Sequence, residues 1–290
     1  MERDYIISTD STADLPEEYI REQGINIIPL YYIIGGETYG DDKDMPLSQF
    51  YGKMREGERT STNASNPLVL RESFEKILAQ GKDILHISFS SGISCSHNNA
   101  AAVARELLEE HKGVKIEVID SLAACMGQGL IVWHACRLKS EGKSLEEVAA
   151  WVRENVLHTC HQFTVDSLVY LQRGGRISKT VMVLGGLINV KPVLHVDNEG
   201  HLTSMSNVRG RKKSLIGLVD NMEKQLGSYR DKNPIIMIAH GDCLADAQFV
   251  GDLVKERFGY TNIMYNYISP TIGAHSGPGT IALFHLGEHR

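Results

Sequence analysis

Ser90-Ser91-Gly92-Ile93-Ser94-Cys95-Ser96 joins a strand-like run to a helix-like one. A helix N-terminus has free N–H groups and partial positive charge, so it favours an anion, and Ser94 and Ser96 add hydroxyl donors. Plain N-capping accounts for the same residues equally well. Gly92-Ile93-Ser94-Cys95-Ser96 also comes close to the G-x-S-x-G nucleophile elbow, with Ser96 in place of the last glycine. Paired with a downstream histidine, Ser94 would then be the nucleophile of a serine acyl hydrolase. Gly273-Ala274-His275-Ser276-Gly277-Pro278-Gly279 supplies such a histidine, and its glycines let the backbone pass close to a partner while holding His275 on a shaped loop. Thr60-Ser61-Thr62-Asn63-Ala64-Ser65-Asn66-Pro67 is rich in hydroxyls and amides and contains no base. It suits hydrogen-bond donation to an acceptor ligand, or an ordinary loop.

Two further runs are basic. Arg209-Gly210-Arg211-Lys212-Lys213 opens a helix, where cations oppose the helix dipole, so a partner or a phosphate would account for them as well as a solvated helix start. Arg173-Gly174-Gly175-Arg176 puts positive charge on a flexible turn. His158-Thr159-Cys160-His161 offers metal-capable atoms, but no second cluster at ligand spacing accompanies it, so no metal is expected. Neither G-x-x-x-x-G-K-[ST] nor G-x-G-x-x-G occurs, which leaves nucleotide binding without a motif. Cys125 and Cys136 read as core residues of one helix.

These residues need elements to position them. Strand 5–9 runs into Asp10-Ser11-Thr12, strand 83–89 into Ser88 to Ser91, and strand 115–119 into Asp120-Ser121. Ligands of open α/β sheets bind beyond the carboxyl ends of the strands, so three such endings predict a polar cleft. Helices are expected at 16–23, capped by Asp14 or Thr12, then at 46–54, 94–110, 124–139 and 144–155. One more helix, after Pro67, carries Leu70, Phe74, Ile77 and Leu78 on one face. Strand 25–34 ends at the Gly35-Gly36 turn, and 55–67 reads as a loop. Beyond residue 160 the pattern changes. Strands 190–196 and 201–208 flank the turn 197–200, helices 212–226 and 244–258 alternate with strands 234–239 and 262–267, and 272–286 is a glycine-rich loop followed by a strand. The expected fold is α/β in two domains. Residues 1–160 form an N-terminal parallel sheet flanked by helices, and 161–290 a C-terminal α+β domain with a mixed sheet.

Composition narrows the function. Hydrophobic residues at 42% and charged residues at 23% are ordinary for a globular chain of 290 residues and exclude a disordered or disulfide-dense protein. A formal charge of −6 makes general nucleic-acid binding a poor expectation. Five cysteines without a C-x-x-C pair argue for a reducing compartment. With no signal-peptide core and no apolar run long enough to span a bilayer, the expected location is cytoplasmic.

Taken together, the segments resemble the DegV family of bacterial fatty-acid-binding proteins, of the FakB-like kind, over nearly the whole chain. The resemblance is carried by Asp10-Ser11-Thr12-Ala13-Asp14-Leu15, Ser90-Ser91-Gly92-Ile93-Ser94 and Leu168 to Leu171. It continues through Arg173-Gly174-Gly175-Arg176-Ile177-Ser178, Lys191-Pro192-Val193-Leu194, Arg209-Gly210-Arg211-Lys212-Lys213 and the 273–279 segment. It implies a carrier rather than an enzyme. One long-chain fatty acid would lie in a tunnel between the domains and be presented to a fatty acid kinase that makes an acyl-phosphate for phospholipid synthesis. Thr62 and Ser94 would hydrogen-bond the carboxylate, His275 and Arg176 would complete the network, and Arg209 would face the kinase. No cofactor beyond the bound fatty acid is implied, and membrane contact would be at most transient. Cys95 stands where the family commonly has glycine, and either Thr62 or the Thr60-Ser61 pair supplies the loop hydroxyl.

Overall fold

The computed structural model describes residues 3–40, 43–177 and 190–290. The chain runs through β1 (Tyr5–Asp10), α1 (Glu17–Gln23), β2 (Asn26–Ile28), β3 (Tyr31–Ile34), β4 (Glu37–Tyr39), α2 (Leu47–Arg55), β5 (Thr60–Asn63) and α3 (Pro67–Ala79). There follow β6 (Asp83–Ser88), α4 (Ser96–Glu110), β7 (Ile116–Asp120), α5 (Met126–Ser140), α6 (Leu145–Asn155), β8 (Thr159–Thr164) and α7 (Val169–Arg173). The last part holds β9 (Val190–Val196), β10 (Leu202–Arg209), α8 (Arg211–Leu226), β11 (Ile236–His240), α9 (Leu244–Phe258), β12 (Ile263–Tyr267), α10 (Pro270–Ser276) and β13 (Ile281–Leu286).

β2-β1-β6-β7 form a parallel sheet, as the alternation of strands and helices predicts. β6 is buried along its whole length, because helices cover both faces of a parallel sheet. α3 covers one face with Leu70, Phe74, Ile77 and Leu78, the stripe read from the sequence. Pro67 and an Asn66 side chain that accepts the Leu68 N–H at 2.9 Å start that helix. The second sheet, β10-β9-β8-β13-β11-β12, is mixed, with β11 and β12 its parallel pair. α5 lies between the two sheets. Its Met126, Leu130 and Ile131 share one core with Ile7 and Leu85 of the first and with Phe163 and Phe284 of the second. Among the described residues no helix is long and apolar enough to cross a membrane.

Several local expectations fail for identifiable reasons. The polar stretch 55–67 contains β5, which pairs with β3 in a small antiparallel sheet β4-β3-β5. An edge strand is made by its backbone, and threonine and serine suit its open side. The 25–34 run breaks at Pro29 into β2 and β3, which join different sheets. β8 has no counterpart in the sequence reading, since its polar residues conceal a fully buried strand. The expected glycine-rich loop before β13 is confined to 277–280, because α10 takes up the residues ahead of it, with Pro270 in its first turn and Gly277, at φ 83°, ending it. Neither proposed cap serves α1. Thr12 donates to Gln128 at 2.9 Å instead, and Asp14 sits at φ 51°.

Burial keeps many histidines neutral. Desolvation pushes His86 and His134 down to about 3, His275 and His285 down to about 4, and His161 well below its ordinary value. Desolvation also pushes Asp10 and Asp14 up, each to about 7. The two groups act in opposite directions. Below about pH 6.5 the unfolded chain takes up protons that the folded histidines refuse, which favours unfolding. Between about pH 4 and 7 the folded aspartates hold protons that the unfolded chain has lost, which favours folding. His195 and His240 are lowered by burial as well, and seven histidines outweigh two aspartates, so stability should fall as pH drops from about 6.5 towards 4. His134 stacks on Trp151 at 4.8 Å and has no hydrogen-bond partner, so His134→Phe should preserve the packing. It should remove up to about 1.4 kcal/mol per pH unit from that slope, read from urea unfolding across this range. An unchanged slope would mean that His134 titrates normally in the folded protein.

Candidate functional site

A cavity of about 300 Å³ lies between the two larger sheets, at the start of α5. Its walls are mostly apolar. Phe89 and Ile93 follow β6, Leu171 comes from α7, and Phe163, Ala282 and Phe284 come from β8 and β13. Thr62, Ser94, Arg176 and His275 line the same cavity, so four residues far apart in sequence meet here.

Thr62 Oγ1 and His275 Nε2 are 2.7 Å apart. The alternation of β5 sets this contact. Thr60 and Thr62 share a face, but Thr60 donates to the Ala274 carbonyl at 3.2 Å, and Ser61 points to solvent. Thr62 is therefore the one of these three hydroxyls that reaches the cavity. Ser94 lies two residues before α4, not within it. Its hydroxyl accepts the Ser96 N–H at 3.2 Å and pairs with Ser96 Oγ at 2.9 Å. Ser96 Oγ in turn accepts the Ser65 N–H at 3.2 Å, and Asn99 donates to the Ser65 carbonyl at 2.8 Å. These bonds fasten the loop after β5 to the start of α4, which brings Ser94 near Thr62.

His275 sits in the last turn of α10, and its Nδ1 has no partner. Burial, with a smaller contribution from the Arg176 charge, pushes it down to about 4, so the ring is neutral at physiological pH. Arg176 Nη1 donates to the Gly174 carbonyl at 2.5 Å, and among the described residues Arg176 has no ion pair. This end of the cavity thus offers two hydroxyls, a neutral imidazole and a guanidinium without an ion pair among the described residues, a set that suits an anionic acceptor.

Other expected residues lie elsewhere. Arg209 ends β10 and is exposed, and α8 begins only at Arg211. The helix-dipole argument therefore does not apply to Arg209. It falls instead on Arg211, which bonds Asp246 at 2.8 Å and the Gly279 carbonyl at 2.6 Å. The polar strand ends mostly hold loops together. Asp10 accepts the Phe89 N–H at 2.6 Å, and Asp120 accepts those of Ser91 and Leu122. Thr12 lines the cavity. Cys125 is not a residue of α5 but precedes it at φ 57°, and it too lines the cavity. His158 stacks on Tyr229 at 4.6 Å, whereas His161 faces the cavity, so the 158–161 run does not converge on a metal. Among the described residues the only metal-like cluster is Glu75, Glu110 and His111, two of them exposed. Nor does a hydrolytic pair form. Ser94 is engaged with Ser96, and the hydroxyl bonded to His275 is that of Thr62. His161 and Thr271 also line the cavity, and sequence reasoning gave neither a ligand role. Their only signal is strand or helix alternation within elements that the sequence conceals.

A parallel sheet and a mixed sheet flanking a mostly apolar cavity define an α/β protein with a cleft between its two sheets. The family model described as "Uncharacterised protein, DegV family" matches residues 5–288, and the chain belongs to the DegV family. A DegV domain-containing protein of Clostridium perfringens is 41% identical over 98% of both chains. Two solved structures are similar throughout. A fatty-acid-binding DegV family protein of Thermus thermophilus has 26% identity and a TM-score of 0.85, over 98% of this chain and 99% of that one. A stearic acid-binding protein of Eubacterium ventriosum has 25% identity and a TM-score of 0.90, over 98% of each chain.

Gly174 holds the polar end together by absence of a side chain. A Cβ there would lie 2.0 Å from His275 Nδ1. Gly174→Ala should therefore displace the ring, break the bond to Thr62 and cost about 1–3 kcal/mol of stability. Chemical denaturation measures this, and an unchanged midpoint would mean that the ring has room to spare.

Proposed function

We propose that this protein binds one long-chain fatty acid in the cavity between its 1–160 and 161–290 domains and presents the carboxylate to a fatty acid kinase. The kinase would transfer the γ-phosphoryl group of ATP to a carboxylate oxygen, giving an acyl-phosphate and ADP for phospholipid synthesis. The protein itself would be a cytoplasmic carrier. The observation that carries the reading is an apolar cavity ending in an arginine that has no ion pair among the described residues, beside a neutral histidine and two hydroxyls. The Thermus and Eubacterium relatives, which are described as binding fatty acids, support it.

The energetics fit a carrier. At about 0.8 kcal/mol per buried CH2, roughly fifteen methylenes offer about 12 kcal/mol before the costs of binding. A buried carboxylate is expensive unless it is hydrogen-bonded and paired. Arg176 supplies a charge, Thr62 and Ser94 supply hydroxyls, and His275 has a free Nδ1. An arriving carboxylate would favour protonation of that nitrogen, opposing the desolvation that now keeps it neutral. The exposed Arg209 lies outside the cavity, and we assign it to the kinase-facing surface.

Two variants separate binding from handover. Ser94→Ala removes a donor to a charged group and should weaken fatty-acid affinity by about 1.5–3 kcal/mol, with Thr62→Val acting in the same direction. Arg209→Ala should leave affinity unchanged and depress acyl-phosphate formation with kinase and ATP. Each variant is titrated with a fluorescent fatty acid, then assayed with the kinase. Unchanged affinity in both hydroxyl variants would put the carboxylate elsewhere, and a proportional loss of affinity and turnover in Arg209→Ala would place that residue in the pocket.

A further inference from the structure

His161 stands in the wall of the same cavity, away from its polar end. Thr280, Ala282 and Phe284 line the β13 side, and Phe284 pairs with His161 across the strands. Thr280 hydrogen-bonds the Ser276 carbonyl at the end of α10, close to His275. Four residue steps lead from Thr280, just before β13, to Phe284, roughly 14 Å if the chain is extended throughout. A fatty acid whose carboxylate lies at the polar end would pass His161 with the middle of its chain.

The ring is poorly suited to an unsubstituted hydrocarbon. It is 2% exposed, and among the described residues neither nitrogen has a hydrogen-bond partner of ordinary geometry, the Thr159 backbone being its nearest polar contact. Gly127 of α5 makes the space for it, since a Cβ there would lie 2.1 Å from Nε2. The charged and titratable groups near it are Arg290, His195 and His285. Arg290 directs its N–H groups to the carbonyls of Ser121, Leu122, Val156, Thr159 and Asp197, so it leaves the imidazole unserved. A buried polar group without a partner is costly, and leucine or phenylalanine would fill an apolar wall without that cost.

We propose that His161 selects fatty acids bearing an oxygen function in mid-chain, a hydroxyl or keto group, over unsubstituted chains. The proposal rests on the fatty-acid reading of the cavity. A neutral imidazole has one donor and one acceptor. A hydroxyl complements either, and a keto oxygen complements the donor. In the structure Nε2 packs against Gly127 of α5, and a half-turn of the ring exchanges its nitrogen and carbon positions at the cost only of a contact with the Thr159 backbone.

The test titrates delipidated protein with stearic acid and with hydroxystearic acids whose hydroxyl is moved stepwise along the chain. At least one mid-chain isomer should bind about tenfold tighter than stearic acid, equivalent to about 1.4 kcal/mol. His161→Leu should abolish that preference and bind stearic acid at least as well as the wild type does. His161→Gln, which keeps a donor and an acceptor, should retain part of it. Wild-type protein that binds every mid-chain isomer no better than stearic acid overturns the proposal, and that arm needs no variant. So does His161→Leu protein that keeps the full preference. Stearic acid binding without discrimination overturns the selectivity while leaving the fatty-acid reading of the cavity standing. Failure to bind stearic acid and all isomers removes the fatty-acid reading along with it.

Discussion

The hydrogen bond between Thr62 and His275 joins residues 213 positions apart in the chain. One comes from a small antiparallel sheet in the first half, the other from the last turn of α10. The bond lies at the polar end of the cavity. Phe50 and Tyr51 of α2 pack with Ala274 under α10, and the Tyr51 hydroxyl donates to the Ile268 carbonyl at 2.9 Å. Gly174 brings the α7 turn close enough that Arg176 faces the same ring. This one contact ties together two of the four separate segments that supply Thr62, Ser94, Arg176 and His275 to the cavity.

The rest of the chamber depends on α5 lying between the sheets. Its residues face β1 and β6 on one side and β8, β11 and β13 on the other, so it belongs to both layers of the core. Two close approaches make this possible. Gly129 meets the Ala13 carbonyl at a distance no Cβ would tolerate, and Gly127 does the same with His161. The helix begins after Cys125, whose positive φ turns the chain into the cavity wall at the carboxyl edge of the parallel sheet. Ligand sites of open α/β sheets lie at that edge. Here the edge itself is mostly spent on loop anchoring through Asp10 and Asp120, and the second sheet provides much of the apolar wall.

The sequence was legible where local chemistry decides structure. The stripe of Leu70, Phe74, Ile77 and Leu78, the Asn66-Pro67 helix start, and the paired strands around 197–200 all follow from periodicity and turn residues. The chamber residues Thr62, Ser94, Arg176 and His275 were reached through motif resemblance, and the structure brings them together. What local reading could not give was set by tertiary context. Thr60–Asn63 becomes a strand because β3 offers a partner, and Thr159–Thr164 is buried because α8 satisfies the amide of Gln162 from one side. His275 looked like a loop residue because glycines flank it, although Pro270 starts a helix there. Arg209 looked helical because basic residues cluster beyond it, although Gly210 ends the strand first.

The central claim is that the chamber exists to hold an acyl chain out of water. Mass spectrometry of lipid released from protein purified from bacterial cells tests it most directly. The account predicts a long-chain fatty acid in near-equimolar amount, held through purification by the apolar wall and the Arg176 end of the cavity. Protein that arrives empty, or that carries only the mixed lipid found on an unrelated control protein, would contradict it.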